Sequence, residues 1–133
     1  MKNIEHIGIA VKDLDEANEV YAKLFGKPSY KTEVVESESV KTSFFKVGNQ
    51  KIELLEGLHE ESIITKYIEK KGEGVHHIAF EVDNINQEIE RLKQEGFVVL
   101  SDTPKQGADN KLVVFLHPKS AHGVLIELCQ EII

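Results

Sequence analysis

The chain has 133 residues, which fits one domain or two tightly fused half-domains. Hydrophobic residues make up 41% and charged residues 29%, enough for a core under an ordinary polar surface. The net charge of −7, from 16 basic and 23 acidic side chains, argues against a nucleic-acid binder.

The first residues, Met1 to Glu5, lack the charged-then-apolar pattern of a signal peptide, and no apolar run reaches the length of a membrane span. A cytoplasmic location is therefore expected. Ile4 to Val11 alternates as a strand and carries His6. An amphipathic helix follows, with Leu14, Ala17, Val20, Tyr21 and Leu24 on one stripe and a stop at Gly26. Strand-like stretches come next at 29–35 and 40–47, then the apolar Lys51-Ile52-Glu53-Leu54-Leu55. Residues 58–73, with Ile63, Ile64, Tyr67 and Ile68, read as a linking helix. Val75 to Val82 is a second alternating strand, with His77. Ile85, Ile89 and Leu92 mark a helix ending at Gly96. Stretches 97–100 and 112–116 look like strands, a loop spans 118–123, and Leu125-Ile126-Glu127-Leu128-Cys129 closes the chain. Cys129 is the single cysteine, so no intrachain disulfide and no zinc ribbon can form.

The chain repeats itself. A shift of 71 residues lays His77 on His6, Ile78 on Ile7, Val82 on Val11 and Ile85 on Leu14. A shift of 74 lays Glu127 on Glu53, the extra residues falling in the loop at 118–123. Each half reads strand, helix, strand, strand, strand. The expected fold is α+β: two tandem βαβββ modules, about 1–57 and 74–133, forming curved mixed sheets around a cleft.

Strand side chains alternate faces. Ile7, Ile9 and Val11 share the helix-facing side, and His6 shares the other with Gly8 and Ala10. Ile78, Phe80 and Val82 repeat this, leaving His77 beside Ala79. Glu53 and Glu127 lie out of phase with Ile52/Leu54 and Ile126/Leu128, so they point to the same side as the histidines. A carboxylate in an apolar strand is costly unless paired, solvated or metal-bound. Two imidazoles and two carboxylates brought together by a pseudo-two-fold would satisfy one another through a divalent cation, be it Zn, Co, Ni, Mn or Fe(II). Singly, each residue has a plainer reading: a histidine early in a strand is more often structural, and Glu53 suits a solvated edge. His76 competes with His77, but strand phase turns it to the helix side. His59, His117 and His122 fall in loop-like contexts.

Three stretches, Glu5-His6-Ile7-Gly8-Ile9-Ala10-Val11, Gly74 to Ile85, and Phe115 to Ser120 followed by Gly123 to Leu128, resemble the vicinal oxygen chelate superfamily (glyoxalase, bleomycin resistance, dioxygenase). The likeness is greatest to its methylmalonyl-CoA epimerases. The resemblance implies that His6, His77 and Glu127 are metal ligands, with Glu53 at a fourth position. Some epimerases carry a catalytic glutamate where this chain has Thr42, so Glu53 becomes the candidate base, with Glu127 across the pseudo-two-fold. The implied reaction removes and returns the proton of a 2-carboxyacyl thioester. A glyoxalase I activity on a glutathione hemithioacetal, or a non-catalytic binding module, are the alternatives. Lys105, Lys111 and Lys119 are candidates for coenzyme A phosphates, and the family resemblance implies a homodimer.

Overall fold

The computed structural model describes residues 1–132. Its elements run β1 (Asn3–Ala10), α1 (Leu14–Phe25), β2 (Lys31–Val35), β3 (Val40–Val47), β4 (Gln50–Gly57), α2 (Ile63–Lys71), β5 (Gly74–Glu81), α3 (Ile85–Gln94), β6 (Lys105–Gln106), β7 (Lys111–Leu116) and β8 (Ile126–Glu131). The order strand-helix-strand-strand-strand thus occurs twice, on either side of α2. Among the described residues no helix is long and apolar enough to cross a membrane.

The chain divides into two compact units. One is residues 7–76; the other joins Met1–His6 to the chain from His77 onward. In the first unit the strands run β2-β3-β4-β1. The β2/β3 and β3/β4 pairs are antiparallel, with Phe44 opposite Glu53 and Thr42 opposite Leu55. One face of these strands packs Val11, Phe45 and Leu54 against Leu14, Ala17, Tyr21, Ala22 and Phe25 of α1. On the other face Ala10, Val40 and Leu55 meet Ile64, Tyr67 and Ile68 of α2. Val20 and Leu24, expected on the buried stripe of α1, are exposed instead. The packed set runs 14, 17, 21, 22 and 25, so the contact stripe is rotated toward Phe25.

In the second unit the strands run β1-β5-β8-β7-β6. The pairing of β5 with β8 is parallel and that of β8 with β7 antiparallel. Val82, Val114, Leu116 and Leu128 form the core with Ile85, Ile89 and Leu92 of α3. Residues 97–100, expected as a strand, make only an isolated bridge from Val99 to Leu116. The ladder breaks because the Val98 amide donates to Ser120 Oγ rather than to a neighbouring strand (3.0 Å). The remaining strand of this half is the short β6. The linking helix also starts later than expected, because Ser62 N and Thr65 Oγ1 both donate to the His59 carbonyl and form a turn first.

The two halves solve the same local problem alike. The Asp13 side chain accepts from the Glu16 amide at the start of α1, and the Asn84 side chain accepts from the Gln87 amide at the start of α3 (both 3.1 Å). The first helical amide of each is held from a closing strand: Leu14 N donates to Glu56 Oε1, and Ile85 N to Gln130 Oε1 (2.7 Å). Val11 N donates to Leu55 O and Val82 N to Cys129 O, both at 2.9 Å. These bonds fix where each helix leaves its strand. They therefore fix which strand face is left for chemistry.

Candidate metal centre

His6 ends the stretch of β1 that belongs with the second unit, and His77 opens that unit's stretch of β5. Glu127 follows the first residue of β8, opposite Ala79 on one side and Phe115 on the other. All three are buried, at 4%, 5% and 6% exposure. The face away from α3 carries Ala79, Val113 and Cys129 as its apolar floor. The small Ala79 beside Glu127 leaves room above it.

The donor atoms converge. His6 Nε2 lies 3.0 Å from His77 Nε2. Glu127 approaches His77 Nε2 at 3.3 Å through Oε1 and His6 Nε2 at 3.6 Å through Oε2. The rings meet edge to face, 5.1 Å between centroids, and the Phe115 ring lies edge to face against His77 at 5.7 Å. Two Nε2 atoms this close need a proton between them or a cation in front of them. Two imidazole nitrogens and a carboxylate that share one focus match the donor chemistry of a divalent metal, and their burial keeps competing water out.

Glu53 sits on β4 in the other unit, 4% exposed and opposite Phe44. Its face is the one away from α1, as strand alternation predicts. Thr42 is buried on the neighbouring β3, opposite Leu55. His76 packs edge to face on Tyr67 of α2 at 4.7 Å, whereas strand phase predicts the side of the following helix, α3. Burial pushes its pKa down to about 4, because the charged ring would lose its hydration. His59 and His122 are exposed, and His117 Nδ1 accepts from the Lys119 amide (3.0 Å) to cap the short turn Pro118–Ala121. Lys105 and Lys119 are exposed and Lys111 is half-buried.

Sequence reasoning missed Glu5. It is 7% exposed, and its Oε1 lies 2.7 Å from His6 Nδ1. Alternation puts residues 5 and 6 on opposite faces, so the pattern gave no hint of contact. The available signal was different: an acidic residue inside an otherwise apolar strand, next to a histidine.

The sequence pattern of the Glyoxalase/Bleomycin resistance protein/Dioxygenase superfamily matches residues 5–115. The chain is 41% identical over 129 residues to an ethylmalonyl-CoA/methylmalonyl-CoA epimerase of Cereibacter sphaeroides, covering 96% of each. It is 41% identical over 128 residues to the mitochondrial methylmalonyl-CoA epimerase of Homo sapiens, covering 96% of this chain and 73% of the relative. Among solved structures, a variant of Streptomyces coelicolor methylmalonyl-CoA epimerase in complex with 2-nitronate-propionyl-CoA superposes with a TM-score of 0.94 at 38% identity, over 98% of this chain and 95% of that one. The chain belongs to the glyoxalase/bleomycin resistance/dioxygenase superfamily.

Proposed function

We infer that this chain is an isomerase that interconverts the two C2 epimers of methylmalonyl-CoA. The observation that carries the reading is the buried convergence of His6, His77 and Glu127, in a chain matched almost end to end by epimerases of that substrate. A divalent cation held by His6, His77 and Glu127, with Glu53 as fourth donor, would supply charge stabilisation for an enolate formed beside two carbonyl groups.

The residues' own work is proton handling. The C2–H bond breaks, its electron pair stays on the substrate as the enolate, and the proton passes to a carboxylate oxygen. Glu53 is the proposed base, a role in which its carboxylate would leave the cation. It enters on its equivalence to Glu127 in the repeat, on its burial in β4, and on the threonine at position 42. Return of a proton to the opposite face completes the inversion: Glu127 is the proposed donor, which would enter protonated on the carboxyl oxygen turned from the cation and leave as carboxylate, while Glu53 leaves protonated. Burial of the carboxylates strengthens both transfers by excluding water.

The exposed Lys105 and Lys119, with Lys111, are proposed to meet the phosphates of the coenzyme A carrier. A homodimer, on the family resemblance, and a cytoplasmic location, on the single free cysteine, complete the proposal.

The deciding experiment incubates the protein with methylmalonyl-CoA in D2O and follows deuterium at C2 by mass spectrometry. A methylglyoxal–glutathione assay runs beside it. Exchange in the first and no turnover in the second is the expected result. Turnover in the second alone would replace epimerase with glyoxalase chemistry.

A further inference from the structure

His6 is held from behind. Its Nδ1 lies 2.7 Å from Glu5 Oε1, a short contact between two groups that are 4% and 7% exposed. A neutral imidazole has one N–H. If that N–H sits on Nδ1 and donates to Glu5, Nε2 is a bare lone pair. Nε2 is the atom that faces His77 Nε2 and Glu127. A carboxylate on the far nitrogen therefore selects the tautomer that can ligate, fixes the ring plane and makes Nε2 a stronger donor.

We propose that Glu5 is a positioning residue for the metal centre, acting through His6 to set the affinity of the site. The inference rests on the metal reading of His6, His77 and Glu127.

A second trio, Glu5, His6 and Cys129, also brings ligand-type atoms within 4.8 Å of one another. Its groups are already committed: Nδ1 to the Glu5 carboxylate, and the thiol to a weak bond with the Phe80 carbonyl (3.6 Å). This trio is the wall behind the ligand, and the metal belongs on the Nε2 side.

The repeat gives the second ligand a different preceding residue. The residue equivalent to Glu5 is His76, one before His77. His76 packs on Tyr67, and His77 has the Phe115 ring edge against it. The geometry thus gives a carboxylate backing to His6.

The test uses the full chain, Co2+ as probe, and Glu5→Gln and Glu5→Asp variants. Two readouts are taken. In metal-free protein, long-range proton–nitrogen NMR of the histidine rings reports the tautomer of His6. The Nδ1–H form is expected in wild type, a mixture or the Nε2–H form in Glu5→Gln, and partial restoration in Glu5→Asp. In chelator competition, Glu5→Gln is expected to bind Co2+ about 10- to 100-fold more weakly, with Glu5→Asp in between. Unchanged melting temperature shows that the variants fold. An Nε2–H tautomer of His6 in wild type overturns the inference, as does wild-type Co2+ affinity in Glu5→Gln. A second Co2+ per chain that disappears in Cys129→Ser overturns it too. If wild type binds no Co2+, the metal reading fails instead, and the tautomer measurement still decides whether Glu5 orients His6.

Discussion

His6 and His77 occupy equivalent places in the repeat, yet their neighbours differ. The preceding residue is Glu5 in one case, hydrogen-bonded to the ring, and His76 in the other, turned to Tyr67. The inward side chain was kept in both halves while the residue beside it diverged. The same contrast recurs at the helix starts, where Glu56 holds one first amide and Gln130 the other. A duplicated unit preserves what converges on the shared site and varies what merely supports it.

The largest test of that view removes the inward groups. His6→Ala and His77→Ala should each abolish stoichiometric Co2+ binding and lower C2 exchange by about a thousandfold or more, if the cation supplies several kcal/mol to the enolate. Full metal content in both variants would end the metal reading. Next, Glu53→Gln should lower exchange by about 100- to 10,000-fold, the usual worth of a general base, while most bound metal is retained. Undiminished exchange would pass the base to another group.

Smaller effects compare the supporting elements. Leu14→Ala and Ile85→Ala empty matched core positions, 2% and 1% exposed, and each should cost about 2–5 kcal/mol in denaturant unfolding. A negligible loss at either would mean the two helices are not docked alike.

His76 gives the pH arm of the comparison. The unfolded chain protonates it near 6.5, and the folded chain only near 4. Between those values the unfolded state binds more protons, so stability falls as pH drops from 6.5 to 4 and is flat above. The shift corresponds to about 3 kcal/mol at most. His76→Phe should flatten that window, and an unaltered pH profile of stability would refute the burial account. The smallest effects are the caps: Asp13→Ala and Asn84→Ala should each cost about 1 kcal/mol.

Much of this was legible in the sequence because it follows from a period of two. Alternation separates Glu53 and Leu55 from Ile52 and Leu54, and turns His76 away from His77. The repeat then paired one half with the other. What alternation cannot give is the reach of a side chain. Glu5 belongs by phase to the opposite face, yet its carboxylate meets the imidazole of the next residue. Nor does local pattern give packing direction: Val20 and Leu24 fit a helical stripe as well as Phe25 does, and tertiary contact selected Phe25. The stretch 97–100 has strand composition, but a serine hydroxyl more than twenty positions away takes one of its amides.

The division of β1 has a consequence for how the molecule is born. Residues 7–76 are contiguous, so that unit can close on itself while synthesis continues. Met1–His6 must wait for partners such as Glu81, whose carbonyl accepts from the Lys2 amide (2.8 Å), and for strand β8 at the far end of the chain. The donors at positions 6, 77 and 127 can therefore meet only after synthesis has passed residue 127. A chain cut short anywhere before Glu127 lacks the third donor, so this centre can form only on chains that extend into β8.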